Sequence, residues 1–179
     1  MKKLLLLVCL LSLSSLAMAN ATYTINFEQY SAYTQITNQY AAQDATFDNA
    51  LQLVVPFYNY FDYPPHSGSG VITNDPNDPI TITFSTPMQS VSFWYAAPDG
   101  IVATGSNGAV VDGAGVDGSN LQIVMPGYVS WITISANDGA DSETVDDVSY
   151  TVAPEPGSLA LLGSGVLGMA GLLRRKLVR

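Results

Sequence analysis

The sequence contains a single cysteine, Cys9, which lies in an apolar run near the N-terminus. Basic residues are almost as scarce, because all six lie in the first three or the last six positions. Residues 20–153 contain no lysine or arginine but hold every acidic residue of the chain except Glu155. Nucleic-acid binding depends on cations that displace counterions from phosphates. This charge distribution therefore excludes nucleic acid as a partner.

Charged residues make up only 12% of the chain, against 47% hydrophobic residues. This balance excludes a disordered, charge-rich chain. Alternation of apolar and polar positions recurs along the middle of the chain, which predicts half-buried strands at residues 23–27, 80–84, 91–95, 132–134 and 148–152. Shorter strands are predicted at residues 50–55, 100–103, 109–111 and 121–125. Turn residues separate the segments at short intervals, as is typical of sandwiches. We expect residues 20–153 to form one all-β domain, a jelly-roll-like antiparallel β-sandwich of about eight to ten strands.

The N-terminus has the features of a signal peptide. Two lysines precede an apolar run, and Ala17 and Ala19 form an A-x-A cleavage site, so residues 1–19 are predicted to be removed. Cys9 would leave with this segment. The exported protein would then have no disulfide, no thiol nucleophile and no thiolate metal site.

The C-terminus, residues 154–179, has three parts in a fixed order. A Pro154-Glu155-Pro156 motif precedes an uncharged run over residues 157–173, and a basic cluster follows, consisting of Arg174, Arg175 and Lys176. Seventeen residues is the short limit for a membrane-spanning helix at about 1.5 Å per residue. The positive-inside rule would keep the basic cluster cytoplasmic and the acidic domain outside.

This tail resembles the PEP-CTERM sorting signal, and the same segment also resembles one known as an ice-binding-protein C-terminal domain. The resemblance implies an exported protein recognised by exosortase, a membrane-embedded protease-transpeptidase. It implies a transient inner-membrane anchor with a periplasmic domain, cleavage near residues 154–156, and release to the cell surface or extracellular matrix. The alternative is a permanent single-span anchor. The start Ile25-Asn26-Phe27-Glu28 and the pair Asp146-Asp147 resemble ectodomains that precede such tails.

Catalytic signatures are weak in this sequence. His66, the only histidine, lies in a proline- and glycine-rich loop, and no G-x-S-x-G motif surrounds a serine. We therefore expect a solvated loop histidine. An Asp/Glu pair could hydrolyse a glycosidic bond, but many acids make a chance pair inevitable. The sequence favours a protein that is not an enzyme.

Calcium is the cofactor that the acids suggest, in a structural role. Hard cations prefer several oxygen ligands. The densest acidic segment gives five candidate ligands: Asp138, Asp141, Glu143, Asp146 and Asp147. A solvated acidic turn is the alternative. Glu28 together with a carboxylate of the last strand is another candidate, if the first and last strands pair. A Gly/Asp-rich hairpin is expected over residues 112–120.

Residues 57–63 contain five aromatic residues in seven positions. If exposed, Phe57, Tyr58, Tyr60 and Tyr63 would form an apolar surface on which sugar rings stack, and Asn59 and Asp62 would accept hydrogen bonds. The alternative, which we favour because exposed rings are costly, places alternate rings in the core. Trp94 and Trp131 lie in predicted strands and are expected to be core residues.

These features predict a non-catalytic exported surface or matrix protein that contacts extracellular polysaccharide. Two alternatives remain open. The first is a structural surface protein without a ligand, and the second is a glycan-degrading enzyme that uses an Asp/Glu pair. An enzyme of that class needs two carboxylates facing each other about 5–10 Å apart in a cleft, whereas a binding module needs only a shallow aromatic face.

Overall fold

The computed structural model describes residues 21–74, 78–137 and 143–152, together with Gly163, Gly165, Val166 and Gly168. Ala21–Ala153 form one compact unit. Its described part contains eleven strands and a short 3-10 helix, Ala41–Gln43. The strands are β1 Thr22–Ile25, β2 Gln35–Ile36, β3 Ala45–Asp48, β4 Ala50–Val54, β5 Gly70–Asn74, β6 Ile80–Ala97, β7 Ile101–Gly105, β8 Val110–Gly113, β9 Val116–Met125, β10 Val129–Ala136 and β11 Thr144–Val152.

The long strand β6 belongs to two layers. Its first half pairs with β3 and β10, and its second half pairs with β9 and β11. β7 and β8 extend the first layer beyond β10. The second layer continues beyond β11 through β1 at one end and through β5, β4 and β2 at the other. Every pairing is antiparallel, and the predicted all-β antiparallel sandwich is confirmed.

The core forms because inward positions alternate with outward ones along each strand. In β6 the inward residues of the first half include Ile82 and Phe84, and those of the second half include Phe93 and Tyr95. The strands predicted at residues 80–84 and 91–95 are both part of β6, and Pro87 lies between them. This proline is near the point where the pairing partners of β6 change, and proline is tolerated in sheets at such irregular positions.

Three details of the fold differ from expectation. The prediction of a Gly/Asp hairpin at residues 112–120 was wrong, because β8 pairs with β7 whereas β9 pairs with β6. Trp94 is half-buried rather than part of the core. Trp131 is not a core residue either, since it is 38% exposed. Its neighbour Ile132 faces the core, so the strand alternation places the Trp131 ring outward. Strands β2, β3 and β5 were not predicted, because they are short or carry polar residues at their ends.

The two terminal predictions fall largely outside the described residues. The structure does not describe the cleavage-site alanines Ala17 and Ala19, the sorting-motif residues or most of the predicted membrane helix at residues 157–173. The four described tail positions, between 163 and 168, are helical. Among the described positions, no helix is both long enough and apolar enough to cross a membrane. The membrane helix stays a prediction.

Candidate functional site

Residues 55–69 connect β4 to β5, and the end of this connection is bound by carboxylates. Glu28 accepts hydrogen bonds from the Ser69 amide at 2.9 Å, the Ser69 hydroxyl at 3.1 Å and the Gly70 amide at 2.7 Å. Glu28 follows β1, which pairs with β11 along its whole length. The first and last strands therefore bring Glu28 to the same end of the sandwich as the acids of β11.

Asp146 and Asp147 of β11 bind the same loop. The buried Asp146 carboxylate accepts from the Ser67 amide at 2.8 Å, and Asp147 accepts from the Ser67 hydroxyl at 3.0 Å. Adjacent strand residues normally point to opposite faces. Asp147 has φ 45°, and the pairing with β6 shifts register after Asp146, so both side chains reach the loop. We call residues 66–70 the carboxylate-bound loop.

Two glycines allow the loop to approach the carboxylates and the backbone closely. Gly68 has φ +54°, and a Cβ atom there would collide with the Glu28 carboxyl group. A Cβ atom on Gly70 would collide with the Phe27 carbonyl oxygen. Glycine is therefore required at both positions by space, and at Gly68 by backbone conformation as well.

His66 makes more contacts with neighbouring residues than we expected for a solvated loop histidine. Its Nδ1 lies 2.6 Å from Asp147 Oδ2, and its side chain is 33% exposed. Its ring stacks on the half-buried Trp94 at a centroid distance of 3.8 Å and an interplanar angle of 9°. Both His66 and the Ser67 hydroxyl bind Asp147 rather than each other. This geometry differs from a catalytic triad, in which the histidine contacts the serine hydroxyl.

Burial is the main cause of the raised pKa of Asp146. Desolvation raises the pKa of Asp146 from 3.8 to about 6, the Ser67 amide hydrogen bond opposes this, and the Asp147 charge adds to it. The carboxyl group therefore changes charge near pH 6 rather than near pH 4. The Ser67 and Asp147 amides donate to different oxygens of this carboxyl group, and both hydrogen bonds favour its charged form.

The first half of the same connection, residues 57–63, forms an exposed aromatic loop. Phe57 is 62% exposed and Phe61 is 72% exposed, while Tyr58, Tyr60 and Tyr63 are half-buried. The Tyr60 and Phe61 rings stack at a centroid distance of 4.4 Å. No ring of this loop is among the buried core residues. The favoured interpretation, with alternate rings in the core, was therefore wrong.

Polar contacts hold the aromatic loop against neighbouring segments. The Tyr33 hydroxyl donates to the Phe57 carbonyl at 2.7 Å, and the Gly118 amide of β9 donates to the Asp62 carbonyl at 3.1 Å. The Asn59 amide group donates to the Asp62 carboxylate, so these two side chains bind each other within the loop. The exposed rings are thus presented from a backbone that is fixed at both ends.

A pocket of about 170 Å³ lies under the aromatic loop. Its walls come from the loop, from β4 and β5, and from the start of β11, and comprise Leu53, Tyr58, Asn59, Tyr63, Thr73, Glu143 and Thr144. Thr144 is 4% exposed, and its hydroxyl has no hydrogen-bond partner among the described residues. The buried Tyr58 hydroxyl also has none. Native proteins rarely leave buried polar atoms unpaired, so these two atoms require an explanation.

The negative field of the acidic residues reaches this pocket. Desolvation raises the pKa of Tyr58 to about 12, and the charges of Asp146 and Glu28 contribute to the increase. Glu143, in the pocket wall, is 1% exposed. The Tyr58 hydroxyl therefore stays protonated at neutral pH and is available to donate or accept a hydrogen bond.

The three predicted calcium ligands that the structure describes lie in two different environments. Asp138 and Asp141 lie outside the described residues. Glu143 lines the pocket, whereas Asp146 and Asp147 bind the carboxylate-bound loop. Among the described residues, no group of three or more acids, histidines or cysteines has a geometry that could hold a metal ion. Calcium binding stays a prediction.

Sequence reasoning identified the aromatic loop but not the pocket. Phe61, the most exposed ring, lies inside the aromatic run that the composition singles out. Leu53, Thr73 and Thr144 carry no sequence signal, because each is an ordinary strand residue that only the sheet order brings to Tyr58. The stacking of His66 on Trp94 was missed for the same reason.

A solved structure of a known protein supports the fold class. One cleaved adhesin domain of Lys-gingipain is 13% identical, with a TM-score of 0.51, over 74% of this chain and 100% of that one. Another, from Porphyromonas gingivalis, is 9% identical with a TM-score of 0.45, over 74% and 99%. A carbohydrate-binding module of Cellvibrio mixtus lichenase 5A, solved with cellotriose, is 9% identical with a TM-score of 0.31, over 69% and 98%. At these identities the likeness concerns the fold alone.

The tail gives the more specific result. Residues 152–176 match the family model described as the PEP-CTERM protein-sorting motif. The predicted resemblance of the tail is confirmed, and the chain carries a PEP-CTERM sorting motif. The motif indicates export, sorting by exosortase and delivery to the cell surface or extracellular space. No curated protein matches the chain in sequence.

Proposed function

We propose that the sandwich is a non-catalytic surface or matrix module that contacts extracellular polysaccharide through the aromatic loop at residues 57–63. The observation that carries this proposal is the exposure of Phe57 and Phe61, at 62% and 72%, on a loop held by hydrogen bonds. Large apolar rings are seldom exposed in pairs without a partner. Sugar rings present apolar C–H faces that stack on such surfaces, with hydroxyl groups at their edges.

The surroundings of the loop also suit a neutral or cationic polymer. No lysine or arginine occurs in residues 20–153, so a polyanionic chain would meet no fixed positive charge there. The Tyr60 and Phe61 rings, stacked on each other, form a continuous surface beside the pocket. A polymer lying on these rings would reach the pocket entrance at Tyr58 and Tyr63.

The test is retention of the full chain, in mild detergent, on immobilised exopolysaccharide from the producing strain. The variant Phe57→Ala/Phe61→Ala should lose most of its retention. The matched control is Tyr128→Ala, which removes another ring that is 56% exposed but lies between β9 and β10. Equal retention of the double variant and the wild type would refute the proposal and favour the structural role without a ligand.

A second arm of the experiment addresses calcium, which we propose as a structural ion at the acidic segment that includes Glu143. Retention and thermal unfolding should be measured with calcium and with chelator. Calcium should raise the unfolding temperature if carboxylates of this segment share an ion, because binding to the folded state alone stabilises it. An unfolding temperature that is independent of calcium would refute the structural ion while leaving the polysaccharide proposal intact.

A further inference from the structure

The strand β9, Val116–Met125, is the longest of the described strands that lie at a sheet edge. Among the described residues it pairs only with β6. The other described edge strands, β1, β2, β3 and β8, contain four residues or fewer. The free side of an edge strand presents backbone amides and carbonyls, and a short edge strand is one way in which proteins prevent another strand from adding there. With ten residues, β9 lacks that protection.

The first half of β9 is protected in other ways. The register between β9 and β6 shifts between Val116 and Leu121, so residues 117–120 form a bulge. Inside this bulge Gly118 has φ +62°, and its amide donates to the Asp62 carbonyl of the aromatic loop. A bulge and a covering loop both hinder the addition of a strand. This protection ends before Leu121.

The second half of β9, residues 121–125, has none of these features, and we call it the open edge. It pairs with β6 without a register shift and contains neither a charged residue nor a proline. Ile123 and Met125 are buried, so the strand alternation turns Gln122 and Val124 outward. Val124 is 57% exposed. An uncharged, partly apolar edge of this kind is a site at which another strand adds.

The distribution of charge indicates which strand can add. Residues 20–153 contain many acids and no lysine or arginine, yet no charged residue occurs between Asp117 and Asp138. The neighbouring strand β6 is also uncharged along its whole length. A basic segment of another protein would therefore find no carboxylate on these two strands to pair with. A second copy of this chain, although acidic overall, can contact the open edge without bringing carboxylates together there.

We infer that the open edge pairs with the open edge of a second copy, in antiparallel orientation across a two-fold axis within residues 122–124. Parallel pairing would place the two Asp117 carboxylates side by side, which is unfavourable. Antiparallel pairing separates them by about 40 Å, for twelve residues at roughly 3.4 Å each. The sorting motif directs copies of the chain to one destination, so a second copy is available at high local concentration. This contact is independent of the proposed polysaccharide contact.

Cysteine cross-linking of the full chain in mild detergent tests the contact and its register. In a Cys9→Ser background, Gln122→Cys and Val124→Cys are oxidised separately and as an equal mixture. The three samples cover the registers in which position 122 meets 122, 124 meets 124 and 122 meets 124. At least one sample should form a disulfide-linked dimer about tenfold faster than Val110→Cys. Val110 is the matched control, because it is a valine of the edge strand β8 and is 61% exposed.

A charge placed on the open edge provides a second measurement that needs no cysteine. Val124→Lys should raise the dissociation constant in sedimentation equilibrium by about tenfold or more, because a lysine on an edge strand opposes strand addition. Val110→Lys adds the same charge outside β9 and should change the constant by less than about twofold. Added salt should strengthen the wild-type dimer, since it screens the repulsion between two acidic domains. Circular dichroism melting identifies a variant that fails to fold, and cross-linking then carries the test.

The outcomes separate this inference from the proposed function. A wild-type chain that stays monomeric up to about 100 μM in about 0.5 M salt would overturn the inference. So would cross-linking of Val110→Cys at the same rate as the β9 variants, or a dimer that Val124→Lys leaves unchanged. Phe57→Ala/Phe61→Ala should not alter the dissociation constant, because these rings lie outside the open edge. A monomer that is retained on polysaccharide would refute this inference alone, and a dimer that is not retained would refute only the proposed function.

Discussion

The two halves of the β4–β5 connection differ in how their polar groups are satisfied. In the carboxylate-bound loop, residues 66–70, the amides of Ser67, Ser69 and Gly70 each donate to a carboxylate. In the aromatic loop, residues 57–63, two phenylalanine rings face solvent, and the Tyr58 hydroxyl beneath them has no protein partner. One half of this continuous segment thus has these amides paired with carboxylates, whereas the other half contains a buried hydroxyl group without a hydrogen-bond partner among the described residues.

This difference separates a structural role from a binding role. Buried polar groups that are fully paired fix one conformation, whereas unpaired groups beside exposed rings leave interactions for a ligand. The acids bind the part of the connection that follows the rings in the chain, so they hold the end of the aromatic loop in place. The same sequence property, an excess of acid without base, anchors one loop and, under the proposed function, disfavours a polyanionic ligand at the other.

The largest expected effect concerns the anchored half. Asp146→Ala should lower the free energy of unfolding by about 2–3 kcal/mol at pH 5, because it leaves the part-buried amides of Ser67 and Asp147 without their acceptor. Urea denaturation at that pH measures the loss. Asp146→Asn retains an acceptor oxygen and should lose less than half as much. A loss that is equal for both variants would contradict the role of the hydrogen bond.

The pH dependence of stability tests the burial of the same carboxyl group. Its pKa is raised by burial from 3.8 to about 6, so folding favours the protonated form. Its stabilising contribution is complete below pH 3.8 and is lost as the pH rises through 6, by about 2–3 kcal/mol for a shift of this size. Urea unfolding between pH 4 and 7 should show this slope in the wild type and a flatter one in Asp146→Asn. Parallel pH profiles would contradict it.

A smaller effect is expected at the junction between the two halves. His66→Ala removes the stacking on Trp94 and the hydrogen bond to Asp147, and should lower the free energy of unfolding by about 1–2 kcal/mol. The tryptophan fluorescence of the folded protein should change at the same time, because Trp94 becomes more exposed. Unchanged fluorescence together with unchanged stability would show that the ring contact is not maintained in solution.

The smallest effect on stability belongs to the exposed half. Phe61→Ala should change the free energy of unfolding by less than about 0.5 kcal/mol, since the ring is 72% exposed. Retention on polysaccharide should nevertheless fall. Thermal melting and the retention assay on the same sample give the two numbers. A large loss of stability would indicate that the ring is part of the packing, and the contrast between the two halves would then disappear.

Sequence patterns predicted the strands whose alternation is regular. Residues such as Ile80 and Ile82 in β6, Ile132 and Ile134 in β10, and Val148 and Tyr150 in β11 all face the core as expected. The patterns failed where the alternation was interpreted without knowing which face is inside. The indole of Trp131 was expected in the core for its size, yet the period of the strand turns it outward.

Part of the candidate site could also be predicted from the sequence. The aromatic run and the acids at residues 143–147 stand out by composition alone. Which of these acids contact the loop could not be predicted from composition, because it depends on the positive φ of Asp147, which turns a second carboxylate toward the loop. Thr144 could not be identified as a pocket residue, since it is eighty-six positions from Tyr58 along the chain and joins it only through the pairing of β11 with β5.

Local sequence was enough to identify the C-terminal sorting motif, the absence of thiols and fixed cations from the middle of the chain, and the all-β class. These properties depend on composition and on the two-residue period of a strand, which are local. Tertiary structure decided which acids anchor a loop, which rings remain in solvent and which hydroxyl groups lie unpaired in a pocket. Those outcomes depend on the order of strands in the two layers, because antiparallel pairing brings together residues that local sequence leaves far apart.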